Sequence, residues 1–150
     1  MSQTSRTNHS LTRRATFRHW MAERVRWSDT DMVGHVNNLA FAAYLETGRT
    51  HFMYPMVNEA TGERALFLLA RLTVDYLDEV HWPAAIDIGT GILALGRASL
   101  RLGQGLFDGD RCVAVADSVM VRIDETSRNS APIPDWARAR FAPYLIDAGE

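Results

Sequence analysis

Apolar side chains fall into register only from Phe17 onward. Phe17, His19, Met21, Val25 and Trp27 recur at period two, opposite Arg18, Arg24 and Arg26, with Glu23 the one break in the apolar face. That alternation predicts a half-buried strand. From Asn37 to about Met53 the period changes: Leu39, Ala40, Ala43, Tyr44, Thr47, Gly48 and His51 follow helical spacing, with Phe41 and Leu45 widening the apolar stripe. Few charges interrupt this helix, which predicts burial on more than one side. Asn37 or Asn38 can cap its start, and Pro55 is expected to end it. Gly48 lowers helix propensity by about 1 kcal/mol relative to alanine, so it points to a close approach.

Beyond Pro55 the pattern returns to period two. Leu66 to Tyr76 alternates, His81-Trp82-Pro83 breaks it, and Ile86, Ile88, Thr90 and Ile92 open a further strand toward Gly96. Ser99 to Phe107 follows, Asp108-Gly109 marks a hairpin, and Arg111 to Asp124 carries Val113, Val115, Val119, Val121 and Ile123 on one face. Pro132-Ile133-Pro134-Asp135 starts a short C-terminal helix. Four strands joined by tight turns pair antiparallel, giving an α+β domain in which a five-stranded sheet wraps one apolar helix. Residues 1–16 read as a flexible N-terminal tail, 17–146 as a single domain and 147–150 as a C-terminal tail.

With 150 residues, 47% of them hydrophobic, the chain has enough apolar side chains for one core. A net charge of -2 gives no electrostatic case for nucleic acid. All the cationic side chains are arginines, which excludes lysine Schiff-base chemistry. The lone Cys112 lies in an apolar run and reads as a core residue. No secretory h-region and no run of about 20 apolar residues is visible, so a soluble, cytoplasmic protein is expected, with no membrane partner. No histidines stand at metal-ligand spacing, and neither a metal nor a redox cofactor is expected.

The chemistry concentrates between the first strand and the helix, in Trp27-Ser-Asp29-Thr-Asp31-Met-Val-Gly34-His35-Val36-Asn37-Asn38. Asp31 there is either a turn acid tying up backbone N-H groups or a reactive carboxylate beside helix amides that lack intrahelical partners. Asp29 closes the strand end or perturbs its neighbour.

The run Asp29-x-Asp31-x-x-Gly34-His35-Val36-Asn37-Asn38, with Tyr44-x-Glu46-x-x-Arg49, resembles the acyl-CoA thioesterases of the hot-dog fold, and among them the 4-hydroxybenzoyl-CoA thioesterase-like branch. Asp75-Tyr76, Leu95-Gly96-Arg97-Ala98-Ser99 and Ile133-Pro134 extend the likeness from about Arg24 to Phe141. The resemblance implies a sheet curled around the helix and a homodimer, or a homotetramer built from two dimers, with active sites at the interface. It also implies an acyl thioester substrate, with coenzyme A or else an acyl-carrier protein as the carrier, and Asp31 as the catalytic carboxylate, either a nucleophile or a general base.

His35 then hydrogen-bonds substrate, orients Asp31 or satisfies the loop backbone. Asn37 caps the helix or donates to the carbonyl, with Asn38 as the alternative cap, and Gly34 and Val36 line the approach. Glu46, roughly 12 Å along the axis from the cap, is a rival base or the partner of Arg49 in an ion pair. Arg97, Ser99 and Arg101 are candidates for the coenzyme A phosphates. Two rivals stand beside hydrolysis. One is a hot-dog enoyl-CoA hydratase or dehydratase, although Val33-Gly34 stand where that branch has Asn-Pro. The other is a non-catalytic acyl-CoA-binding domain.

Overall fold

In the computed structural model, which describes residues 8–147, the first alternating segment forms a short strand, β1 (His19–Arg24). It stops before Trp27 because the chain turns into a 3-10 element, Trp27–Asp29, leaving Trp27 71% exposed rather than on the buried face. The helix α1 (Asn38–Val57) starts on Asn37, whose side chain accepts from the Ala40 amide at 2.8 Å. Its end differs from expectation: Pro55 sits inside the last turn. Proline there removes one donor near a terminus where carbonyls already lack partners. Arg140 donates to the carbonyls of Pro55 (3.2 Å) and Asn58 (3.0 Å), and the Asn58 side chain donates to Tyr54 O (2.7 Å).

Four strands follow: β2 (Leu66–Tyr76), β3 (Ala85–Leu95), β4 (Ser99–Asp108) and β5 (Arg111–Ile123), then a short helix α2 (Asp135–Phe141). The sheet is five-stranded and antiparallel throughout, in the order β1-β3-β4-β5-β2. This is the expected hot-dog arrangement, with one correction. The β2–β3 link is not a hairpin: β2 lies on the edge beside β5, and residues 77–84 carry the chain across to β3 next to β1. Val80, fully buried, anchors that crossover, and its carbonyl accepts from Val36 N at 2.8 Å.

The helix packs on one face of the sheet. Phe41, Tyr44 and Leu45 meet Ile86, Ile88, Leu106 and Ala114, while Phe52 and Met53 meet Ile92, Leu102, Met120 and Phe141 of α2. Gly48 lies where a Cβ would come within 2.4 Å of Ile88 Cγ2, so the close approach is between helix and sheet. Burial is one-sided, contrary to expectation: Ala43, Glu46, Thr47, Thr50 and Tyr54 are not buried.

The opposite face of the sheet is also covered. Gly89 and Gly91 of β3 pair with Gly105 and Gly103 of β4, and this strip receives Leu11, Phe17 and Ile146. The expected N-terminal tail is therefore corrected over residues 8–16, which form 3-10 turns at His9–Thr12 and Arg14–Thr16, with Leu11 2% exposed. The few apolar residues of that stretch include one that fits the glycine strip. Residues 1–7 and 148–150 lie outside the described residues. No helix among the described residues is long and apolar enough to cross a membrane.

Candidate active site

The loop between β1 and α1 is a miniature hairpin. Thr30 bridges Val36, and Asp31 N donates to His35 O at 2.9 Å. The tip Asp31-Met32-Val33-Gly34 closes as a turn, Gly34 N donating to Asp31 O at 3.0 Å. Gly34 adopts φ 82°, where a side chain would be strained, although a Cβ would meet nothing within 4 Å. The glycine serves the backbone turn rather than relieving crowding.

The two acids are held differently. Asp29 accepts from Arg26 N (2.9 Å) and from the Tyr44 hydroxyl (2.6 Å), and its carbonyl accepts from Asn37 N (2.8 Å). It ties the loop to α1. Burial, followed by that hydrogen bond and the Asp29 charge, pushes the Tyr44 hydroxyl well above its ordinary pKa, so it stays a donor. Asp31 is exposed and accepts from Val33 N at 3.0 Å through Oδ1. Its second oxygen has no protein partner among the described residues.

Beyond the loop, the first turn of α1 leaves amides without intrahelical partners. Asn37 takes the Ala40 N-H, whereas the amides of Asn38 and Leu39 have no hydrogen-bond partner among the described residues. Both therefore remain to bind an anionic oxygen. Of the two candidate caps, Asn37 fills that role.

Large apolar groups stand in solvent around this loop: Met32 is 103%, Leu39 82%, Trp27 71% and Val33 70% exposed. Trp27 packs edge-on against Trp82 at 5.1 Å. A patch of this kind marks an interaction surface.

The structure does not bring every expected residue to this place. Arg97 and Ser99 lie at the β3–β4 turn, whereas the His35–His81 bridge lies near the start of β3. Eleven strand residues separate the two ends by about 30 Å. Arg101 forms an ion pair with Asp117 on the sheet face away from α1, where both line a 280 Å³ cavity. Arg97 serves the fold through its carbonyl, which accepts from Ile133 N (2.8 Å) and Arg138 (3.3 Å).

Glu46 and Arg49 share α1 but form no ion pair. Arg49 is 5% exposed with Nη1 unpartnered, and burial lowers its pKa against the opposing pull of Glu46. Glu46 lines two cavities along the helix. One of 650 Å³ also has Met21, Thr47 and His51 in its wall, and one of 420 Å³ has Arg49, Phe67 and Met120. Asp31 lines neither.

One grouping is invisible to spacing rules. The crossover sets Glu79 and His81 beside His35, with Glu79 Oε2 3.2 Å from His35 Nε2 and 3.5 Å from His81 Nε2. Neither histidine is near the other in sequence, and only the β2–β3 crossover joins them.

Known proteins agree with this architecture. Residues 25–141 match the thioesterase-like superfamily. The uncharacterised protein YsmA of Bacillus subtilis (strain 168) is 31% identical over 106 residues, 69% of this chain and 71% of that protein. The crystal structure of the PA5185 protein of Pseudomonas aeruginosa strain PAO1 superposes with a TM-score of 0.81 at 26% identity, covering 91% of this chain and 98% of that one. A thioesterase from Thermus thermophilus, crystallised with coenzyme A and Zn, gives 0.75 at 29% identity, covering 83% and 98%. The chain belongs to the thioesterase-like superfamily and has its hot-dog fold.

Proposed function

We propose that this protein is a cytoplasmic acyl-CoA thioesterase, hydrolysing an acyl thioester to a carboxylic acid and free coenzyme A. The observation that carries the reading is the pair of unpartnered amides, Asn38 N-H and Leu39 N-H, at the start of the helix that follows the Asp31 loop. Thioester hydrolysis requires a nucleophile or general base at the carbonyl carbon, here a carboxylate, and donors for the oxygen that becomes negative. A donor of that kind is worth about 3 kcal/mol of barrier.

In this reading Asp31 attacks the thioester carbon or deprotonates the attacking water, and the α1 amides hold the oxyanion. Gly34, Val36 and Asn38 border the reacting group, and His35 and Asn37 fix the loop and the helix start. Coenzyme A binding by the family member from Thermus thermophilus supports this choice of substrate.

The site requires a second copy of the chain. Alone, it leaves Asp31 in solvent, the apolar loop tip uncovered and the low-charge face of α1 open. The edge strand β2 exposes Leu68 (42%) and Leu69 (43%) beside its unpaired backbone. A homodimer, alone or paired into a tetramer, would cover these surfaces and exclude water from the carboxylate. It would also let the β3–β4 turn of one chain, with Arg97 and Ser99, reach the substrate on the other. Sedimentation velocity is expected to show no monomer at micromolar concentration.

A second reading places the base at Glu46, because Glu46 lines both helix cavities and Asp31 neither. The reaction class is tested with butyryl-CoA and crotonyl-CoA. Thiol release from butyryl-CoA is expected. Loss of the enoyl absorbance without thiol release would indicate hydration, and binding with neither change would indicate a non-catalytic domain.

A further inference from the structure

We infer that His35, Glu79 and His81 form a binding site for a divalent transition-metal ion of the zinc class, which clamps the Asp31 loop to the β2–β3 crossover. Two of the three donor–donor distances stand at metal-site spacing. Glu79 Oε2 lies 3.2 Å from His35 Nε2 and 3.5 Å from His81 Nε2, and the three residues offer ligand atoms within 4.8 Å of one another. A tetrahedral ion with bonds of about 2.0–2.1 Å separates its ligand atoms by about 3.3 Å. The two Glu79 distances bracket that edge.

The backbone that carries these ligands is fixed. His35 and His81 form an antiparallel bridge, and Val36 N donates to Val80 O at 2.8 Å. Arg111 holds the Glu79 carbonyl at 2.8 Å, and Glu79 N donates to Asp78 Oδ1 at 2.8 Å. The imidazoles stand edge to face, 4.8 Å apart and 87° to one another, so they do not stack. An ion therefore needs small side-chain adjustments and no backbone movement.

The donor set selects the metal. Two imidazoles and one carboxylate suit zinc, cobalt or nickel, whereas calcium and magnesium require mostly oxygen ligands. Three protein ligands leave a fourth position for water, and the side chains of Glu79 and His81 are each 60% exposed, so solvent reaches it. The rival account is a carboxylate flanked by two imidazoles, an exposed ion pair worth little to the fold. Because His35 lies four residues after Asp31 in the same hairpin, a bound ion would fix the position of that loop.

The test uses full-length protein stripped with a chelator. Zinc chloride is titrated calorimetrically, and cobalt chloride is titrated while visible absorption is followed. One ion per chain is expected, with the intense visible bands of four-coordinate cobalt and a rise in Tm of several degrees at saturating zinc. Glu79→Gln and His81→Ala are each expected to weaken zinc at least tenfold, while His9→Ala, at an exposed distant histidine, leaves the affinity unchanged. Should His81→Ala fail to fold, Glu79→Gln with the cobalt spectrum decides. Absence of saturable zinc binding, or an affinity unaltered in the ligand variants, would overturn the inference. Since these readouts need no turnover, they stand apart from the proposed hydrolysis.

Discussion

Asp29 and Asp31 stand two residues apart and have opposite fates. Asp29 spends its carboxylate on Arg26 N and the Tyr44 hydroxyl, whereas Asp31 keeps one oxygen unbonded by protein at the loop tip. The alternating pattern could not separate them, because the difference depends on Tyr44, fifteen residues later and inside the helix. The motif was legible and the division of labour was not. Tyr44→Phe should destabilise the fold by about 1–3 kcal/mol, read from urea denaturation, because it removes a hydrogen bond to a charged, partly buried acceptor. An unchanged urea midpoint would mean that Asp29 does not tie the loop to α1. The same limit hid the grouping of His35, Glu79 and His81, since only the crossover brings residues so distant in sequence together.

At the scale of the element, the sequence pattern announces the start of α1 and its apolar stripe, but neither its end nor the exposure of its second face. Asn37 caps it as expected, but Pro55 falls within its last turn, where Arg140 of α2 supplies donors that no local signal announces. Low charge on the outer face suits burial within one chain. It is equally the signature of a face kept for another chain, and a single sequence does not distinguish the two. Gly48 tests the packed side. Alanine would gain about 1 kcal/mol of helix propensity, yet its Cβ would sit 2.4 Å from Ile88 Cγ2 and 3.1 Å from Gln104 Nε2. Overpacking of that kind costs about 1–3 kcal/mol, so Gly48→Ala should lower Tm despite the better helix former. A raised Tm would show that α1 lies farther from β3 than described.

For the molecule as a whole, the strands and their antiparallel sense were legible from alternation and from Asp108-Gly109, but the sheet order was not. Placing β2 on the far edge follows from its long pairing with β5, which a local reading of turns replaced with a hairpin to β3. The packing of residues 8–16 leaves no mark in the pattern, because one leucine among polar residues carries no periodicity. Leu11 nevertheless fills the strip left by Gly103 and Gly105, and Leu11→Ala should cost about 2–5 kcal/mol, measured by thermal or chemical denaturation. A loss below a few tenths would mean that residues 8–16 do not seal that face. The Asp29 contacts tie the loop that carries Asp31 to α1, and the proposed chemistry rests on that carboxylate. The most direct test is steady-state thiol release from the best acyl-CoA substrate by Asp31→Asn, with Glu46→Gln in parallel and folding checked by circular dichroism. The account requires a fall in kcat of about a hundredfold or more for Asp31→Asn, the scale of a lost base or nucleophile, and a much smaller change for Glu46→Gln. Near-normal turnover by Asp31→Asn, with collapse in Glu46→Gln, would contradict it.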